Sequence, residues 1–210
     1  MGRPGNAAVP GRSDGDATRV RILRAAREEL SERGCGGATV RAIAARAGVS
    51  DALVYHHFGS RGGVLSAALR DAARVLRSAP APSSPADAGA LLREVLPRWE
   101  SAERRSAVLA VIRSALTRRD AARLLLDGLV SPERLGLWPG GFAGEAWCPH
   151  AMMVGAQLVG VMTARHIIRV EPLASAALDQ LVEQLSPAID RYLDDHAASD
   201  CRGAHAGSPD

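Results

Sequence analysis

Lysine is absent from this chain. All 26 of its basic Lys-plus-Arg residues are arginines, a mark of GC-rich coding more than of chemistry. Aromatic residues are scarce as well, at 3% of 210 residues (three Trp, two Tyr, two Phe). Two of these few, Tyr55 and Phe58, stand together in GVSDALVYHHFGSR, residues 48–61. The three cysteines, Cys35, Cys148 and Cys201, have no paired spacing. That excludes a disulfide framework and a zinc site, and it favours a reducing compartment, by default the cytoplasm. No window reaches the roughly 18 apolar residues of a membrane span; the nearest, 151–168, is interrupted by Gln157, Arg165 and His166. MGRPGNAAVPGRSDGDA, residues 1–17, holds no apolar run and reads as a disordered lead, not a signal peptide or anchor.

Catalytic signatures are missing too. There is no G-x-S-x-G elbow and no H-E-x-x-H helix. GCGG at 34–37 lacks the preceding strand and the Lys-Ser/Thr ending of a phosphate loop, so it reads as a helix cap and turn. His56 and His57 are adjacent on a helix and diverge by about 100°, so they cannot share a metal. Cys148-Pro149-His150 has no second ligand pair nearby. No catalytic residue, metal or cofactor is expected.

What is present is helical periodicity. Alternating Val/Ile/Thr runs and Asn-Gly hairpins are not found, and the fold class is all-α. From Thr18, the residues Val20, Ile22, Leu23, Ala26 and Leu30 form one apolar stripe, and Gly34 fits the position just past a helix end. Thr39 is placed to cap a helix carrying Val40, Ile43, Ala44 and Ala47, which Gly48 ends after about two turns. Ser50 caps the next, over 51–57, with Asp51 at its positive end. Ser60 caps a fourth, over 61–78. SAPAPSSPADA, 78–88, is a Pro/Ser/Ala linker and the best boundary in the chain. Beyond it the pattern predicts helices over 86–99, 102–116 and 119–129, then a Gly/Pro loop, then helices over 149–170 and 173–195. The last pair is separated at Glu171-Pro172. The expected organisation is a lead (1–17), a three-helix unit (18–60), a connecting helix (61–78), a C-terminal helical domain (79–196) and a flexible tail (197–210).

Two short helices joined by a Gly-containing turn is helix-turn-helix geometry. Val49, Val54 and Phe58 fall on the buried side of that arrangement. The formal net charge is only +3, but arginines 3, 12, 19, 21, 24, 27, 33, 41 and 46 outnumber the acids before Arg61, a mild footprint for an anion such as nucleic acid.

Residues 18–69, TRVRILRAAREELSERGCGGATVRAIAARAGVSDALVYHHFGSRGGVLSAAL, carry T-x-R-x-I-A-x-x-A-G-V-S and L-V-Y-x-H-F. This region resembles the DNA-binding region of the TetR family of bacterial transcriptional regulators. Residues 158–193 are similar to the C-terminal domain of an actinobacterial subgroup of that family. The resemblance implies a repressor that binds a palindromic operator in double-stranded DNA as a homodimer and is released by a small hydrophobic ligand. An activator, or a helical binding protein or enzyme keeping the motif as scaffold, is the alternative. It further implies that Thr39 meets a phosphate, that Arg41 reaches toward phosphate or a base edge, and that Ser50, Asp51, Ala52 and Leu53 lead the recognition helix. Tyr55, His56 and Arg61 would contact phosphates. Asp51 is a departure, repulsive to phosphate yet able to accept from a cytosine amino group. TetR-like regulators dimerise through their last two long helices. Small residues Ala151, Gly155, Ala156, Gly160 and Ala164, and the stripe Leu178, Leu181, Leu185, Ile189 and Leu193, suit that role, though an intramolecular core would use the same pattern. A ligand pocket is expected among Trp99, Leu125, Leu129, Trp138, Phe142, Trp147, Met152, Met153 and Gln157.

Overall fold

The computed structural model describes residues 10–78, 87–125 and 149–198. Among them every regular element is helical. The first, α1 (Pro10–Gly37), buries Ile22, Ala25, Ala26 and Leu30 at three- and four-residue steps. It starts at Pro10, ahead of its apolar stripe, so part of the stretch expected to be disordered is helical; proline at a first helical position loses no ladder bond. Gly34, at φ +64°, kinks it, and a last turn, Cys35–Gly37, follows the kink instead of ending there.

Then come α2 (Val40–Ala47), α3 (Asp51–Phe58) and α4 (Arg61–Arg77). Each is started by a hydroxyl side chain: Thr39, Ser50 and Ser60 accept from the amides of Ala42, Leu53 and Gly63. Gly48, in the left-handed region at φ 65°, turns the chain between α2 and α3, a conformation that costs a glycine nothing. Residues Val64, Leu65, Ala68, Leu69, Ala72, Val75 and Leu76 make α4 apolar over most of its circumference, because it lies between α1 and α6.

The C-terminal half comprises α5 (Ala88–Glu100), α6 (Ala102–Ala115), α7 (Arg119–Leu125), α8 (Pro149–Met162) and α9 (Leu178–Ala198). α8 runs into a π-helical turn, Thr163–Ile168, closed by Arg169 at φ 60°. The chain then turns through 171–175, and α9 begins five residues later than the periodicity predicts. Arg165 explains the delay: its Nη1 donates to the carbonyls of Leu173 and Ala176, both at 2.8 Å, holding that loop open. Gln180 then accepts from the Ala177 amide at the start of α9. α6 packs along α1 and against α4, and α9 packs on α5 and α8. One continuous core, from Ile22 and Ile43 through Leu69 and Val111 to Leu158 and Ile189, therefore joins the two halves. The α9 stripe is used inside the chain: Leu181 and Ile189 are buried, and Leu178, Leu185 and Leu193 pack against the core. Among the described residues, no helix is long and apolar enough to cross a membrane.

Candidate nucleic-acid interface

The candidate interface stands on a buried floor. Val40, Ile43, Ala44 and Ala47 of α2 and Val54 of α3 are buried, with Val49 and Phe58 half-buried against the same core. With those residues turned inward, helical geometry leaves Thr39, Arg41, Ser50, Asp51, Ala52, Tyr55 and His56 exposed. Tyr55 is 48% exposed. Leu53 is half-buried, so less of its side chain is free to reach a base than the sequence alone suggested. Thr39 Oγ1 and Ser50 Oγ spend an acceptor on their helix caps and keep a hydroxyl proton to donate outward. Asp51 stands in the first turn of α3, where the helix dipole stabilises its charge.

Several arginines behave differently from the sequence expectation. Arg46 is drawn back onto α1, donating to Glu29 Oε1 from Nε (3.0 Å) and Nη2 (2.8 Å) and to Glu32 Oε2 (2.7 Å). Arg27 is 4% exposed and pairs with Asp71. Part of the apparent basic excess is thus neutralised inside the head. Arg41 has no ion pair among the described residues. Arg19, which the sequence reading did not single out, lies over the Phe58 ring at 4.7 Å and donates to the His57 carbonyl at 3.4 Å. It steadies the C-terminal end of α3 by a cation–π contact and by placing a cation at the negative helix end. Nothing local in the sequence reveals this, since Arg19 and His57 are 38 positions apart.

Arg61 also departs from expectation. Its guanidinium turns toward the end of α1, with Nε donating to the Ala38 carbonyl at 2.9 Å and Nη2 to the carbonyls of Cys35 and Gly36.

In the C-terminal half, Trp99 is buried, and Leu125 and Met152 are half-buried against the core. Met153 is 43% exposed on the outer side of α8. Gln157 lines an open groove of about 290 Å³ with Ala156, Gly160, Val161, Ala164 and Leu173. Those two expected pocket residues therefore face outward, because the buried face of α8 is taken by Val154, Leu158 and Met162. Leu129, Trp138, Phe142 and Trp147 lie outside the described residues.

A polar cluster sits beside the π-helical turn. Arg165 Nε pairs with Glu100 Oε1 at 2.9 Å, and His166 Nε2 lies 3.2 Å from the same oxygen without hydrogen-bond geometry. Burial holds the His166 imidazole below its usual range; Glu100 opposes that shift, and Arg165 and Arg105 add to it. A histidine kept neutral by folding stabilises the chain above its unfolded pKa, about 6.5, and the contribution is lost as pH falls. The thermal midpoint is therefore expected to drop between pH 7 and 5.5, and His166→Gln to flatten that drop. An equal drop in the variant would remove His166 as its source.

Three helices sharing one small core, with two hydroxyl-capped helix starts and an exposed leading turn on α3, form a helix-turn-helix, the arrangement that presents a helix to a DNA groove. Residues 22–68 match the family described as bacterial regulatory proteins, tetR family, and residues 88–193 match the tetracyclin repressor-like C-terminal domain. The chain belongs to the TetR family. It is 41% identical over 61 residues to the HTH-type transcriptional regulator BetI of Stenotrophomonas maltophilia (strain R551-3). That match covers 29% of this chain and 31% of the relative, so the chain aligns with about a third of the curated relative's length. Among solved structures it is similar to a TetR-family regulator from Streptomyces coelicolor A3, with 27% identity, a TM-score of 0.53 and coverage of 91% of this chain and 100% of that one. It shares the fold of SmeT, the repressor of the Stenotrophomonas maltophilia multidrug efflux pump SmeDEF, at 23% identity and a TM-score of 0.53, covering 94% and 98% of the two chains.

Proposed function

We propose that the protein is a cytoplasmic transcriptional repressor, not an enzyme, that binds a palindromic operator as a homodimer and leaves it when a small hydrophobic ligand occupies the C-terminal domain. The observation that carries this reading is the exposed face made by Thr39, Arg41, Ser50, Asp51, Ala52, Tyr55 and His56 on a buried three-helix core. Thr39 and Arg41 at the start of α2, with Tyr55 and His56 on α3, grip phosphates. Ser50, Asp51, Ala52 and the exposed part of Leu53 enter the major groove, where Asp51 accepts from a cytosine amino group. The DNA-binding unit is 18–60, α4 is the connector, and the effector and dimer functions fall in 79–196. Repression is the sign carried by SmeT, which shares the fold. Trp99 of α5, Leu125 of α7 and Met152 of α8, which lie in or against the core, supply apolar, polarisable side chains for an effector. Ligand binding there favours an arrangement in which α4 moves the two heads out of one-turn spacing.

Selection from a random duplex pool tests the reading. An inverted repeat should be enriched, with affinity falling steeply as salt rises. Arg41→Ala is expected to weaken binding to every sequence and to flatten the salt dependence by a slope of about 0.9 per bound head. Ala52→Asn should instead change which sequence is recovered. No enrichment, and no retardation of DNA at low salt, would sink the proposal.

A further inference from the structure

From the Gly34 kink through the last turn of α1 to the cap of α2 the chain reads Gly34-Cys35-Gly36-Gly37-Ala38, and three glycines in five residues leave the backbone of this link unusually free before folding. That link ends on Thr39, the cap of α2. Arg61 is the first residue of α4, where a positive charge is unfavourable to its own helix. Its guanidinium does not stay there. It reaches the carbonyls of Cys35, Gly36 and Ala38, the negative end of α1, where a cation is favoured and where helix-end carbonyls lack ladder partners.

We infer that Arg61 is a positioning residue: it staples the glycine-rich link to the head of α4 and so holds Thr39 and the first turn of α2 in place to receive a phosphate. The inference rests on the DNA-binding reading above. The planar fork of an arginine suits this task, because Nε and Nη2 can serve neighbouring acceptors together. With Nε and Nη2 engaged by backbone, the charge is not primarily a phosphate ligand. Because α4 leads into the C-terminal domain, any displacement of its first turn reaches the start of α2 directly through this side chain.

The test uses the full-length chain, a fluorescein-labelled duplex recovered by selection and a scrambled duplex, titrated across salt concentrations. Amide exchange of residues 35–40 is measured without DNA. Arg61→Gln is expected to speed exchange in the link and to lower affinity about tenfold, with the salt slope unchanged. Arg61→Lys keeps the charge without the fork and should also lose affinity at constant slope. Gly36→Ala, whose added Cβ meets no atom within 4 Å, stiffens the link and should recover roughly two- to fivefold in the Arg61→Gln background. A slope reduced by about 0.9 per head, with no rescue by Gly36→Ala, would make Arg61 a phosphate contact and overturn the inference. So would wild-type affinity in Arg61→Lys, or unchanged exchange in Arg61→Gln. A wild-type chain that binds neither duplex would sink the functional reading, and the exchange measurement would still decide the staple.

Discussion

Gly160→Arg is expected to leave each chain folded while lowering affinity for a palindromic duplex by about 100-fold or more. Gly160 is exposed on α8, and a Cβ built there meets no atom within 4 Å. Arginine is also a better helix former than glycine, so the isolated chain has no reason to unfold. Ala156 and Gly160 are exposed on the same helix, Ala164 follows half-buried, and together with Gln157, Val161 and Leu173 they line the 290 Å³ groove. Met153 adds an exposed apolar side chain on that helix. Small residues let a second helix approach closely, and the proposed dimer seats a second copy of α8 there. A long cation at the point of closest approach would hold the two helices apart and bury a charge without a partner. Each freed head would still bind a single half-site as before, so affinity for a half-site duplex should not change, while the gain from linking two heads is lost. Light scattering should then report 22.0 kDa, the mass of one chain. A variant that keeps twice that mass, or keeps palindrome affinity, would place the interface elsewhere.

The helix-turn-helix was legible because its signals are local. Thr39, Ser50 and Ser60 each cap the helix that follows by accepting from the amide three residues ahead, and Gly48 marks the turn by a backbone angle that few other residues tolerate. The alternation of Val54 inward and Tyr55 outward follows from helical spacing alone. What escaped the sequence reading was long-range. Arg46 reaches Glu29 across 17 positions and Arg27 reaches Asp71 across 44, so arginines that looked like an offer to DNA are partly spent within the protein. Arg61 sits where a phosphate contact is expected by resemblance, yet the glycines of the α1–α2 link left carbonyls within its reach. In the C-terminal half, helical spacing identified the faces of α8 and α9 but not which neighbour each face meets. Leu181 and Ile189 turned inward against α5 and α8, and Met153 and Gln157 turned outward. A stripe of leucines has the same appearance whether its partner is in the same chain or another one.

Asp71→Ala is expected to reduce the unfolding free energy by about 3 kcal/mol, lowering the thermal midpoint by about 6–12 °C in a chain of this size at fixed protein concentration. Arg27 explains the size of the effect. Its side chain is 5% exposed, its Nη1 lies 2.8 Å from Asp71 Oδ2, and its second acid, Glu103, is 3.7 Å away and 68% exposed. Its Nε has no hydrogen-bond partner. Deleting Asp71 therefore leaves a buried guanidinium facing one distant, solvated carboxylate, and a charge without its partner inside a protein costs far more than an exposed ion pair contributes. Arg27→Met should be milder, because Asp71 keeps Arg74 at 2.7 Å and the methionine refills much of the space. Arg27→Met combined with Asp71→Leu should restore most of the midpoint, since replacing both charges with apolar side chains removes the penalty along with the pair. The consequence extends beyond stability. Arg27 lies on α1, Asp71 on the connector α4 and Glu103 in the first turn of α6, so this triad clamps the DNA-reading head to both helices through which the C-terminal domain could move it. If Asp71→Ala melts within 1 °C or so of wild type, the pair is spectator to folding, and the core contacts of α4 alone hold the head in place.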